Sequence, residues 1–520
     1  MTTTIPLYGR WEAAFEADGI PARGTEIAAT LTAPSGKQRR IPGFWDGARV
    51  WRIRWMPDEE GEWRYQTEAT GEHPGLHGQT GSFTCARVES DNPFLTHGPI
   101  RVAANGHTFE HADGTPFFYL GDTVWNGAML SKDDDWPVFL EDRRAKKFSG
   151  IQFVTHAPWI AAYTNLEGEV AYTKLDKFPV NPHFFRRIDA RIDAVNDKGL
   201  LALPVLCWAI HTQRAEEFIP GVALSLEQII KFVRYQVARY QAHHVLWILN
   251  GDGNYTGEVA ERWRIVGRTV FGETEHAPVT LHPGGSCWPY PEFQQEPWLD
   301  FVGYQSGHND REGHCTWIHS GPASKEWDLA PHRPSIDLEP CYEDHISHAS
   351  KKKWNNDRVR RNCWWTMLNA PPAGLTYGAH GIWCWHEKAE LPVNHPRTGP
   401  AQAWHVAKDL PGAFDMQRMA ECFSAVRWWE LRPDRELVAE QPFADDEAKF
   451  VAATVSEAGD LAVLYIPVGC ELKLNTGKLK GELPAVWFNP RTGERADAGS
   501  SAAQSFKTPD DEDWVLILGK

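Results

Sequence analysis

Nine cysteines are scattered through the 520 residues, at 85, 207, 287, 315, 341, 363, 384, 422 and 470, and no two form a C-x-x-C pair. A zinc ribbon or thioredoxin-like site is therefore not supported, and an odd number of cysteines, several inside apolar runs, reads as reduced, buried thiols. Basic residues are outnumbered 53 to 69, for a net charge of −16, and no basic stripe marks the chain. That balance argues against nucleic acid and against an anionic membrane surface as partners. No run approaches the roughly 18 apolar residues that would span a membrane. The first residues, Met1-Thr-Thr-Thr-Ile-Pro-Leu-Tyr8, lack a basic region followed by an apolar one, so a cytoplasmic location is expected. The 22 histidines form no H-E-x-x-H motif and no G-x-G-x-x-G follows an early strand, so neither a metal nor a cofactor is expected. Internal repeats and low-complexity segments are also missing.

Tryptophan, by contrast, is plentiful at 25 residues, with clusters at Trp364-Trp365, Trp383/Trp385 and Trp428-Trp429. Aromatic faces commonly bind sugar rings, although most of these indoles are expected to fill core. The length suits several domains. Residues 1–92 alternate in short apolar segments, such as Val50–Trp55 and Trp63–Thr67, separated by turn clusters, which predicts a β-sandwich. A small hairpin is expected at Gly106–Phe117. Residues 93–427 then repeat a strand-then-helix pattern eight times. The expected strands are Phe117–Trp125, Gly150–Trp159, Leu200–Trp208, His244–Asp252, Val279–Gly284, Phe301–His308, Pro334–Asp344 and Gly381–His386. Eight such units predict a (β/α)₈ barrel rather than an open doubly wound sheet. From residue 428 to 520 short strands return, as a second β-sandwich. The two sandwiches read as structural supports, with a homo-oligomer left open.

In such a barrel the active site forms where strands end. The stretch His244-Val-Leu-Trp-Ile-Leu-Asn-Gly-Asp-Gly-Asn-Tyr255 is the clearest case: a buried apolar strand that ends on Asp252 between two glycines. Glu339 follows the seventh strand. Two carboxyls at the ends of opposed strands are the equipment of glycoside hydrolysis, one to protonate the leaving oxygen and one to attack carbon or activate water. The competing reading makes Asp252 a turn residue or helix cap and Glu339 an ion-pair partner. Glu343 and Asp344 are the next candidates if the seventh strand ends later. Asp122, Trp125, His156, Trp159, His282, Tyr304, Gln305, Trp383 and His386 also fall near strand ends and are candidates to bind substrate. Asp337, two residues before Glu339, should point to the same side.

The run Phe44-Trp-Asp-Gly with "VWRIRWMPDEEGEWRY" (Val50–Tyr65) resembles the immunoglobulin-like module at the front of many bacterial glycoside hydrolases. The motifs "YLGDTVW" (Tyr119–Trp125), "HVLWILNGD" (His244–Asp252), "PSIDLEPCYED" (Pro334–Asp344) and "DRVRRNCWWTMLNAPPAGLTYGAHGIW" (Asp357–Trp383) resemble the apiosidase-like glycoside hydrolases, which include family 140. The segment "VWFNPRTGE" (Val486–Glu494) resembles the β-sandwich that follows the barrel in that group. The resemblance implies a carbohydrate substrate, favours a furanoside, and makes Asp252 the acid/base and Glu339 the nucleophile of a retaining mechanism. The missing signal sequence makes an imported oligosaccharide the expected substrate, with exo-action. The alternatives are an endo-acting hydrolase of a pyranose polysaccharide and a non-catalytic carbohydrate-binding protein on the same scaffold.

Overall fold

The computed structural model describes residues 4–19, 24–156, 164–173, 180–210, 216–272, 274–393 and 395–519. Its centre is one sheet of eight parallel strands: β1 (Tyr119–Thr123), β2 (Gly150–Val154), β3 (Leu201–Val205), β4 (Trp247–Gly253), β5 (Val279–Pro283), β6 (Val302–Tyr304), β7 (Ser335–Asp337) and β8 (Gly374–Tyr377). Their ladder order is β5-β4-β3-β2-β1-β8-β7-β6. A side chain closes the ring between β5 and β6. The Thr280 hydroxyl donates to the Phe301 carbonyl (2.7 Å) and accepts from the Gly303 amide (2.8 Å), while the Asp300 amide donates to the Val279 carbonyl (3.0 Å). The strand residues are buried almost throughout, as expected for a parallel sheet covered on both faces.

Helices pack around the barrel, among them α1 (Asp135–Ala145), α2 (Pro182–Asp197), α3 (Leu226–Tyr240), α4 (Gly257–Phe271), α5 (His314–Ser320), α6 (Asn356–Asn369) and α7 (Pro411–Phe423). Their starts are written locally. Asn181 caps α2 with Pro182 in its first turn, and Ser225 and Gln228 form a capping box on α3. On α3 the buried residues Ile229, Phe232, Val233, Gln236, Val237 and Tyr240 recur at helical spacing and face the barrel.

One expected strand is displaced. The eighth is Gly374–Tyr377, not Gly381–His386. Positive φ at Gly381 (116°) and Trp385 (53°), with turn bonds from the Ile382 and Trp383 amides to the Ala379 carbonyl, folds residues 379–385 into turns. The alternation there comes from indoles packing into a loop. Trp385, for example, stacks on Trp404 with ring centroids 4.9 Å apart.

Before the barrel, a five-stranded sheet (Thr4–Pro6, Thr80–Ala86, Gly61–Ala69, Ile27–Thr32, Gln38–Pro42) faces a three-stranded one (Trp11–Glu16, Val50–Trp55, Phe44–Trp45). Trp11, Trp51, Ile53, Trp63 and Phe83 fill the space between them. The expected hairpin is a three-stranded piece, Ile100–Val102, Phe109–His111 and Pro116–Phe117. After the barrel comes a six-stranded sheet running from Leu431–Pro433 to Arg495–Ser500, with a two-stranded sheet, Glu471–Lys473 with Ser505–Lys507, beside it.

Buried charge joins both sandwiches to the barrel. Asp189 on α2 accepts from Arg54 of the front sandwich (2.9 Å) and from Arg239 on α3 (2.6 and 2.7 Å), and Arg239 also reaches Asp46 (3.0 Å). Arg360 on α6 clasps Asp513 in the C-terminal region (2.7 and 3.0 Å) and Asp415 on α7 (2.9 Å). Replacing Asp189 with Asn would leave two buried guanidiniums short of a counter-charge. A loss of about 3–5 kcal/mol is expected for breaking such a buried pair, read as a lower midpoint in chemical denaturation. An unchanged midpoint would mean that the network is solvated in solution.

Candidate active site

Four consecutive strands deliver one side chain each to the C-terminal mouth of the barrel: Asp252 from β4, His282 from β5, His308 beyond β6 and Glu339 beyond β7. The end of β4 is irregular. Its register against β5 slips twice, pairing Ile248 with Thr280, Gly251 with His282 and Gly253 with Pro283. This is bulge geometry, which re-aims side chains at strand ends. Asp252 takes up the turn with φ 44°, a left-handed value that Asp tolerates better than most residues. Gly251 is required beside it, because a Cβ there would lie 2.2 Å from the Trp208 indole.

Glu339 is buried at 7% exposure. Its Oε1 lies 2.8 Å from His308 Nε2 and its Oε2 lies 3.3 Å from His282 Nε2. The Tyr342 amide donates to His308 Nδ1 (3.3 Å), so the proton of a neutral His308 sits on Nε2, aimed at the carboxylate. Burial by itself would raise the Glu339 carboxyl, but the His282 and His308 side chains bring it below the usual range, to about 2. Asp252 moves the other way. Burial and then the negative charge of Glu339 push it up to about 7, against weaker opposing pulls from His282 and His308. The two carboxyls are thus biased in opposite directions: Glu339 is ionised at neutral pH, whereas Asp252 keeps a substantial protonated share.

Asp337 anchors the loop that carries Glu339. Its Oδ1 accepts from the amides of Ser306 (3.1 Å) and Glu339 itself (3.3 Å). Gln305 lies at the mouth with its Oε1 buried and lacking a hydrogen-bond partner. Trp125 is buried edge-on to His282, with centroids 5.2 Å apart.

Several expected contacts are turned elsewhere. Asp122 faces the helix layer, where its carboxylate pairs with Arg143 of α1. Strand alternation explains this, because Gly121 faces the barrel interior beside Tyr119 and Thr376, so its neighbour points out. His156 spends Nε2 on the Trp208 amide (3.1 Å), and burial lowers it to about 3. It therefore orders the loop after β3. Tyr304 is packed among Trp288 and Trp317, its phenol near Asp337, Thr366 and Asn369. Trp383 donates from Nε1 to His380 Nδ1 (3.0 Å), and His386 sits in the loop beyond, near Glu390. Trp159 lies outside the described residues. The alternative nucleophiles also face away. Glu343 accepts from the Tyr377 hydroxyl (2.5 Å) and from the Gly412 amide at the start of α7 (2.9 Å), while Asp344 pairs with Lys353 (2.5 Å).

The sequence reading passed over His308, Asn250, Tyr255 and Tyr342. His308 closes the run Gly303-Tyr-Gln-Ser-Gly-His308, and its place beyond a strand end was the available signal. Asn250 is fully buried, yet among the described residues neither its amide nitrogen nor its oxygen has a hydrogen-bond partner, and the buried Tyr255 hydroxyl near Asp252 also has none. Buried polar groups are nearly always paired, so these groups beside the carboxyl pair are candidates to meet a polar ligand. Tyr342 lies against His308 at 4.3 Å, and burial and then the charge of Glu339 raise its phenol well above its usual range.

Residues 103–430 match the family model described as "Apiosidase-like, catalytic domain". Residues 4–70 match a domain of unknown function (DUF5060), and residues 432–519 match one described as "Putative collagen-binding domain of a collagenase". No match is found among curated proteins. Among solved structures, one described as "Glycoside hydrolase" superposes with a TM-score of 0.72 at 21% identity, covering 83% of this chain and 99% of its own. A glycoside hydrolase family 5 structure from Bacteroides vulgatus ATCC 8482 gives 0.71 at 20% identity, covering 83% of this chain and 95% of its own. At these identities the likeness is one of fold. The family model spans most of the chain, and the barrel it describes is the one that carries the carboxyls at its strand ends. The chain belongs to the apiosidase-like family and is a glycosidase.

Proposed function

We propose that the protein hydrolyses glycosides by a retaining mechanism, with Asp252 as acid/base and Glu339 as nucleophile. The observation that carries this reading is the opposite bias of the two carboxyls. Asp252, half-buried, is held toward its protonated form, and Glu339, gripped by two imidazoles, toward its ionised form. In the first step the Asp252 proton passes to the glycosidic oxygen as the bond from that oxygen to the anomeric carbon breaks. A Glu339 oxygen bonds to the carbon, leaving a glycosyl ester and ionised Asp252. In the second step Asp252 takes a proton from water, the water oxygen bonds to the anomeric carbon, and Glu339 leaves as a carboxylate. Asn250, Gln305 and Tyr255 supply donors and acceptors for sugar hydroxyls. The family description supports a furanoside unit, apiose being a branched pentose that forms furanosides, and exo-action on an oligosaccharide is the mode of action we propose for it.

The acid must be protonated and the nucleophile ionised. Activity therefore holds below the Asp252 value and falls as pH rises through about 7, while the Glu339 limb lies far to the acid side. Glu339→Gln removes the charge that raises Asp252, so the Asp252 carboxyl should titrate lower in that variant, as followed by ¹³C NMR. A value that stays put or rises would separate the two groups. On a panel of aryl furanosides and pyranosides, wild type should cleave one sugar. Asp252→Ala and Glu339→Ala should each cut that rate at least about 100-fold. Full activity in either variant would remove that residue from the mechanism.

A further inference from the structure

Beyond Glu339 the mouth continues into a group of histidines that the hydrolytic scheme does not use. His345 and His348 lie in the loop after β7, and His395 lies in the loop after β8. One ring nitrogen from each falls within 4.8 Å of those of the other two. Ring centroids are 5.4 Å apart for His345–His348, 6.2 Å for His348–His395 and 6.5 Å for His345–His395. The backbone already holds the three in place. The His348 amide donates to the His308 carbonyl (3.0 Å), the Trp354 amide to the His345 carbonyl (3.0 Å) and the Ile346 amide to the Thr398 carbonyl (3.1 Å). The Thr398 hydroxyl closes on the His395 carbonyl (2.8 Å). His345 is 1% exposed and its Nδ1 has no hydrogen-bond partner, whereas His348 opens to solvent.

We infer that His345, His348 and His395 form a binding site for a divalent transition-metal cation of the zinc class, open on the His348 side and tying the loops after β7 and β8. Three imidazoles without a carboxylate suit zinc, copper or nickel and do not suit calcium or magnesium. Tetrahedral zinc with bonds of about 2.0–2.1 Å needs nitrogens about 3.3 Å apart, so the rings, now within 4.8 Å, would draw together on binding. His308 lies between this site and Glu339, 4.5 Å from the His345 ring, so a bound cation would add its charge one residue away from the carboxylate.

The test uses untagged full-length protein, stripped with a chelator and titrated with Zn²⁺ against a chromophoric competitor. His348→Ala and His395→Ala are the variants, because His345 is buried and its removal endangers folding. A second grouping, His107, Asp328 and His332, supplies the control variant His332→Ala. One equivalent should bind to wild type and to His332→Ala, with affinity falling on the order of 100-fold or more in the two site variants, since even outer-shell losses reach that size. Co²⁺ in the same site should give a low-symmetry absorption spectrum that both site variants lose. Equal affinity in wild type, His348→Ala and His395→Ala, or no bound equivalent in wild type, would overturn the proposal.

Discussion

A carboxylate removed from water is costly unless donors meet it, and in this protein that constraint is answered at Glu339. The His308 imidazole, from the loop after β6, hydrogen-bonds one oxygen and has its tautomer fixed by a backbone amide, while His282 of β5 lies 3.3 Å from the other oxygen. Burial, and then the Glu339 charge, raise Asp252 to about 7, so that a substantial share of it carries a proton near neutrality. Neither carboxyl has its state alone, so the pair is one electrostatic object.

The remaining architecture holds that object in place. Parallel strands place four successive strand ends side by side, so Asp252, His282, His308 and Glu339 need no long-range coincidence to meet. The bulge at Gly251 and the indole of Trp208 aim Asp252, and Asp337 pins the backbone under Glu339. The sandwiches are joined to the barrel helices by buried arginine–aspartate networks, which set the frame at some distance from the chemistry.

Much of this was legible in the sequence where the signal is local. The apolar run Val245–Leu249 marked β4, and the two carboxyls stood out as polar residues closing buried strands. The eighth strand was misplaced because loop indoles at 383 and 385 imitate strand alternation, whereas β8 itself is only four residues long. Asp122 failed on parity: a strand end tells that a residue is near the mouth, but one step along the strand points it to the helices instead. His156 and Tyr304 failed because their partners, the Trp208 amide and the Asp337–Thr366 neighbourhood, belong to other parts of the chain. His308 closes a strand and was legible by that place alone, but the three-histidine group is dispersed for a related reason. The pair His345-Ile-Ser-His348 is visible in the sequence, but its third member comes from the following loop, so a motif search along the chain cannot assemble it.

The retaining mechanism proposed above requires a covalent bond from Glu339 to the sugar. The most direct measurement is mass spectrometry of peptides from enzyme incubated with activated 2-deoxy-2-fluoro glycosides of the sugar it cleaves. One added glycosyl mass is expected on the peptide that contains Glu339, lost on return to free substrate and not formed by Glu339→Gln. A label on another carboxylate, or turnover of substrate to inverted product with no labelled peptide, would contradict it.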